Sequence, residues 1–296
     1  MRTFGLFFLN AFLGLAAGPS VQSNVVYGMY SGAALLMDVH KPANPNGYGV
    51  LFISGSGWTT PLAYSAWQLK ENAQSLQYAK PLVAAGFTVF TINHRSLPRF
   101  KYPAAIEDAQ RAVRFIRHQA KTFGIRPDRI GASGGSSGGH LVSILGTMDG
   151  KGNPNDPDPV ERESAKVQAV VARAAPTNLV AASNNPFTGI YMPPPPPGGQ
   201  VDKSSLEYKT LQDASPISYI SADDPPFLLM HGTADTTVLP SQSIEFEKAL
   251  KAAGIPAKLI LVDGAGHGPT FPGATKLPDY MGEMVTWLQR HLMEKR

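Results

Sequence analysis

The sequence contains no cysteine. Disulfides, thiolate metal sites, a cysteine nucleophile and a cysteine-linked lipid anchor are therefore excluded. Charge is sparse: 16% of the residues are Asp, Glu, Lys or Arg, and the net charge is +4. The pI of about 9.2 comes without any block of Lys and Arg, so nothing marks a nucleic-acid-binding surface. No His/Asp/Glu pair has clean ligand spacing, so neither a metal nor another cofactor is expected. The apolar run from Phe4 to Ala17 is too short for a comfortable membrane span. It follows Arg2, precedes small residues and resembles a secretory signal peptide, with cleavage near Ser20 or Ser23. The expectation is a leader over residues 1–23, a secreted or periplasmic location and one domain over residues 24–296. The alternative is an amphipathic N-terminal helix on a cytoplasmic protein.

What is present is a chain of 296 residues, 43% hydrophobic, enough to bury a sizeable core. Val25–Tyr30 and Leu35–His40 flank Ser31-Gly32 and read as an antiparallel hairpin. Short, continuously apolar runs follow, typical of strands buried on both faces: Val50–Ile53, Phe87–Asn93, Arg129–Ala132, Val167–Ala175, Phe227–His231 and Ala257–Val262. Helical patterns separate them at Leu69–Ala85, from Pro103 to Phe123, after Gly139, at Pro240–Ala253 and at Leu277–Leu292. This alternation predicts an α/β fold with a mostly parallel sheet, helices on both faces and a leading hairpin. Asp149–Glu161 reads as a loop. Asn184–Gln200, with Pro193 to Pro197 in a row, reads as a proline-rich insertion near residues 184–205.

Between the Arg129 strand and the next helix lies GASGGSSGGH, Gly131 to His140. A glycine-framed serine on a sharp strand-to-helix turn is a nucleophile arrangement, because bulkier neighbours would collide with the turn. The helix N-terminus adds free N–H groups. The pattern Gly-x-Ser-x-Gly fits twice, on Ser136 and on Ser137, and spacing alone leaves the two tied. A serine hydroxyl needs an imidazole to take its proton and an acid to orient that imidazole. Asp235 lies in the loop after the Phe227 strand, and His267 sits between glycines after the Ala257 strand, which completes the chain order Ser, Asp, His. Asp263 is an alternative acid but stands too close in sequence to His267. His94 follows a strand and could lie near the site. His140 falls in the first helical turn, and His231 reads as a packing or hydrogen-bonding residue. Donors for an oxyanion are expected from the N–H of the residue after the nucleophile and from the loop Ser54–Trp58. Gly57 and Trp58 are the candidates there, with Ser56 as a rival.

The segments LLMDVHKP, SGSGW, INHRSLPRFKYPAAIEDAQRAVRFIR, FGIRPDRIGASGGSSGGHL, PPFLLMHGTADTTV and GAGHG together resemble the α/β-hydrolase superfamily. The similarity is to its esterase/lipase group of acetyl-xylan- and feruloyl-esterase-like carboxylesterases, over nearly all of residues 25 to 292. The group's elbow commonly reads Gly-x-Ser-Ala-Gly-Gly-His-Leu. That register implies Ser136 as nucleophile, Ser137 in place of the alanine as an oxyanion donor, Asp235 as acid and His267 as base. Ser54 and Ser56 replace the His and the middle Gly of the usual His-Gly-Gly-Gly-Trp loop. The resemblance implies a serine carboxylester hydrolase acting through an acyl-enzyme on a small or polysaccharide-linked ester. Trp58, Phe187, Tyr191 and Met192 are candidates for its substrate pocket. A peptidase or amidase on the same residues, and a non-catalytic binding protein on this scaffold, are the alternatives.

Overall fold

The computed structural model describes residues 18–181 and 202–294. Phe187, Tyr191 and Met192, most of the proline-rich insertion and residues 1–17 of the expected leader lie outside the described residues. Eight strands form one sheet in the order β1-β2-β4-β3-β5-β6-β7-β8. They are β1 (Ser20–Tyr30), β2 (Ala33–Lys41), β3 (Gly49–Ile53), β4 (Thr88–Ile92), β5 (Ile130–Gly135), β6 (Ala169–Arg173), β7 (Phe227–Gly232) and β8 (Ala257–Val262). β1 and β2 form the expected hairpin, and β2 joins β4 antiparallel. From β4 through β8 every pairing is parallel. β1 begins at Ser20, inside the stretch set aside as leader, and its first residues are exposed.

The five apolar runs β3 to β7 are buried along their whole length, because helices cover both faces of the sheet. The helices are α1 (Ala73–Ala84), α2 (Ala104–His118), α3 (Ala120–Phe123), α4 (Ser137–Thr147), α5 (Leu206–Asp213), α6 (Ser241–Ala252) and α7 (Tyr280–Met293). One face packs Ile106, Val113, Leu141, Ile144, Phe246 and Leu250 from α2, α4 and α6 into a continuous core. The other packs Tyr78 and Leu82 of α1 with Met284, Leu288 and Leu292 of α7.

Several boundaries differ from expectation. The helix expected over Leu69–Ala85 is a 3-10 turn at Leu69–Glu71 followed by α1. Asn72 interrupts it as an N-cap: its side chain accepts the N–H of Ser75 at 2.8 Å, which ends one element and starts the next. The helix expected from Pro103 to Phe123 breaks at Gln119 into α2 and α3. β5 runs on through Gly134 and Gly135, so the glycines belong to the strand as much as to the turn. Helix α5, beyond the proline-rich stretch, had no clear apolar period in the sequence.

The sheet order places the site. β3 lies between β4 and β5, so the chain leaves β3 toward one side and later returns on the other. Such a switch point opens a crevice at the carboxyl ends of the strands. Here it lies between the ends of β3 and β5. Leu288 of α7 is fully buried against Gly131 of β5. Leu288→Ala is expected to cost about 2–5 kcal/mol of unfolding free energy, measured by urea denaturation.

Candidate functional site

Ser136 joins β5 to α4 with φ 54° and ψ −124°. A non-glycine residue in the left-handed half of the map costs on the order of 1–3 kcal/mol and persists only where its surroundings over-determine it. The surroundings here are tight. A Cβ on Gly138 would collide with the Ile53 carbonyl, and one on Gly134 would stand 2.5 Å from the Gly138 oxygen. The N–H of Ser136 is held by the Arg173 carbonyl at 2.8 Å. Ser137, by contrast, is the first residue of α4 and is buried. The structure thus separates the two serines: one stands on the strained turn, the other lies beneath it.

The loops after β7 and β8 bring Asp235 and His267 to that turn. His267 Nε2 lies 3.0 Å from Ser136 Oγ, and His267 Nδ1 lies 2.7 Å from Asp235 Oδ2. Carboxylate oxygen only accepts, so the neutral ring carries its proton on Nδ1 and turns an acceptor nitrogen toward the serine hydroxyl. The other carboxylate oxygen of Asp235 accepts the N–H groups of Thr237 and Val238, both at 2.9 Å. Burial raises the Asp235 carboxyl, but the hydrogen bonds from His231, His267 and Val238 N–H outweigh it and hold the group well below the usual carboxylate range. His231 is itself tethered: Nε2–H donates to the Val238 carbonyl at 2.8 Å, and Nδ1 meets Ser243 Oγ at 2.7 Å. Asp263 is occupied elsewhere, accepting from Thr275 Oγ1 at 2.9 Å. His94 is buried with Nδ1 on the Arg95 carbonyl and is not among the described residues lining the cavity.

The turn after β3 is fixed by side chains the sequence did not single out for that task. Gln74 of α1 accepts the Gly55 N–H at 2.5 Å. Ser137 Oγ accepts the Ser56 N–H at 2.9 Å. The Ser56 N–H, the rival candidate on this turn, is thus already hydrogen-bonded, and the Ser137 hydroxyl has a task. Gly57, with φ 63°, lines the cavity and takes no part in these contacts. The N–H of Ser137 belongs to the first turn of α4, where helix geometry provides no intrahelical acceptor. Trp58 also borders the cavity, but only 3% of it is exposed. Its indole Nε1–H donates to His140 Nδ1 at 3.2 Å, so as a pocket residue it offers little surface. His140 Nε2–H donates in turn to the Ala214 carbonyl at 2.6 Å. One imidazole thereby ties the turn after β3, the elbow helix and the segment after α5 together.

The cavity around Ser136 and His267 holds about 750 Å3. Hydroxyl and carboxyl groups of Thr236, Thr237, Ser241 and Glu245 border one side, and Val238, Leu239 and Pro269 supply apolar surface. This wall comes from the start of α6 and the loop before it. Its only sequence signal was the polar cluster following Asp235. Among the described residues no group of three or more His, Asp or Glu could hold a metal, and no helix is long and apolar enough to cross a membrane.

The BD-FAE family model matches residues 37–250, a span that runs from within β2 to within α6 and holds the elbow and Asp235 but ends before His267. The chain belongs to the BD-FAE family. It is 30% identical over 250 residues to the protein described as "Probable carboxylic ester hydrolase LipM" of Mycobacterium tuberculosis, covering 78% of this chain and 52% of that one. The chain spans about half the length of the curated relatives it matches. A solved truncated carbohydrate esterase from gut microbiota superposes with a TM-score of 0.74 at 26% identity, covering 93% of this chain and 97% of the other. A bifunctional GH43-CE protein of Bacteroides eggerthii gives a TM-score of 0.72 at 30% identity, covering 92% and 38%. The fold is that of the α/β-hydrolases.

Burial drives the His140 value down to about 4 from 6.5, with the Ala214 carbonyl opposing. Between these values the unfolded chain takes up a proton that the folded imidazole refuses. Stability is therefore complete above about pH 6.5 and falls as pH drops toward 4. His40 and His94 are lowered by burial in the same direction. Urea unfolding across this range should show the acid-side decline, and His140→Gln should make it shallower.

Proposed function

We propose that this protein hydrolyses carboxylic esters through a covalent acyl-enzyme on Ser136. The observation that carries the reading is the continuous hydrogen-bonded series Ser136 Oγ, His267 Nε2, His267 Nδ1 and Asp235 Oδ2, at 3.0 and 2.7 Å. In the first step Ser136 Oγ attacks the ester carbonyl as its proton passes to His267 Nε2. Asp235 keeps the ring in the required tautomer and stabilises the imidazolium that forms. The tetrahedral oxyanion is received by the N–H of Ser137 and by that of Gly57, with Trp58 as the neighbouring donor on the same turn. Collapse returns the proton to the leaving alkoxide, which departs as an alcohol. Water, activated by the same imidazole, then attacks the acyl-enzyme and releases the acid.

A small or polysaccharide-linked ester is the proposed substrate. The polar wall of Thr236, Thr237, Ser241 and Glu245 beside the apolar Val238 and Leu239 suits a hydroxyl-bearing alcohol portion joined to a short acyl group. Likeness to a solved carbohydrate esterase supports the same class. The apolar run Phe4 to Ala17 supports an exported protein.

The test compares p-nitrophenyl acetate turnover by the wild type, Ser136→Ala and Ser137→Ala. Ser136→Ala should lose at least about 10³-fold in kcat. Ser137→Ala frees the Ser56 N–H but keeps its own backbone donor, and should lose no more than roughly tenfold, the worth of one buried hydrogen bond. The reverse ranking would sink the assignment. Turnover of a matching anilide in preference to the ester would point to an amidase instead.

A further inference from the structure

Arg173 closes β6, an otherwise apolar strand reading AVVAR. It is 2% exposed. Among the described residues no carboxylate lies within ion-pair distance of it, and its Nε–H is buried without an acceptor. A buried donor left without an acceptor weakens a fold. An aliphatic side chain of similar volume would hold the sheet at least as well. Packing alone therefore gives no reason for an arginine at this place.

Its contacts do. The main-chain carbonyl of Arg173 accepts the N–H of Ser136 at 2.8 Å. Its guanidinium Nη1–H donates to the carbonyl of Gly268, the residue after His267, at 2.6 Å. The same guanidinium lies directly against the elbow backbone, since a Cβ on Gly135 would collide with it, and it stands 6.0 Å from the ring of Phe271 in the His267 loop. The next carbonyl of that loop, on Pro269, is held by the Tyr78 hydroxyl at 2.8 Å. Ser136 and His267 come from loops 131 residues apart, and the strand between them fastens both.

We propose that Arg173 is a positioning residue that sets the separation of Ser136 Oγ and His267 Nε2 by bonding the elbow through its backbone and the His267 loop through its guanidinium. This rests on the ester-hydrolysis reading above. Removing the guanidinium releases the Gly268 carbonyl and lets the His267 loop drift while the substrate wall on α6 stays in place. A drift of about 1 Å costs on the order of 10²-fold in rate.

The test uses the full chain with p-nitrophenyl acetate. Arg173→Met should keep or raise the thermal midpoint, change KM by less than about threefold and lower kcat by roughly 10²-fold. Arg173→Ala should lose a similar factor and regain part of it when methylguanidinium is added, whereas methylammonium at equal concentration should restore less. A folded Arg173→Met with wild-type kcat overturns the proposal. So does a loss that appears in KM alone, or an Arg173→Ala whose deficit no guanidinium relieves. If the wild type itself turns over no ester, the functional reading fails and this one with it. Wild-type turnover that Ser136→Ala abolishes, with Arg173→Met unaffected, overturns the positioning role alone.

Discussion

The contact on which the rest of the site depends is the approach of the first turn of α4 to the end of β3. At Gly138 the helix backbone lies so near the Ile53 carbonyl that a methyl group has no space, and Gly134 is pressed against Gly138 from the strand side. That closeness forces the residue between them into a positive φ, and Ser136 takes it. A serine held this way projects from the turn rather than lying along the strand or helix. The same closeness puts the N–H groups of the first helical turn beside the turn after β3, where positive partial charge gathers. On the proposed reading, nucleophile placement and oxyanion donors both follow from one steric fact.

Around this contact, polar side chains hold the loops that carry the remaining groups. Gln74 and Ser137 fasten the turn after β3, and Trp58 is anchored through His140 to the carbonyl of Ala214. Asp235 is fixed by two backbone N–H groups and the His267 ring, with His231 Nε2 3.4 Å away, which keeps it ionised despite burial. His140 bonds through its two ring nitrogens in opposite senses, accepting from the indole and donating to the carbonyl, as only a neutral ring does. Acid that protonates it removes the acceptor on which Trp58 rests. Fold stability and the turn after β3 are therefore coupled through the same imidazole.

Much of this was legible in the sequence, for identifiable reasons. Fully apolar runs of strand length, separated by helical periods, leave few alternatives to a covered parallel sheet. Glycine at 134 and 138 records the steric demand directly. The equal fit of Ser137 could not be resolved by spacing, because Gly135 and Gly139 frame it just as well; the backbone geometry at Ser136 distinguishes the two. Other features left weaker traces. Asn72 as a cap looked like one more polar position in a helix. The Ser137 hydroxyl and Gln74 act across 81 and 19 residues, distances that periodicity does not register. Arg173 lay inside the expected run Val167–Ala175 as its one charge and was not singled out, and its partner Gly268 offers a backbone carbonyl and so has no side-chain signature. The pocket wall on α6 was hidden because Thr236, Thr237 and Ser241 resemble any solvated loop and helix start.

The central claim is that the turn geometry makes the hydroxyl of Ser136, and not that of its neighbour, the reacting group. The most direct measurement is to treat the folded wild-type protein with a fluorophosphonate, digest it and locate the adduct by tandem mass spectrometry. The account predicts a single adduct on Ser136, absent when the protein is unfolded in urea before labelling. An adduct on Ser137, or none on the folded protein, would contradict it.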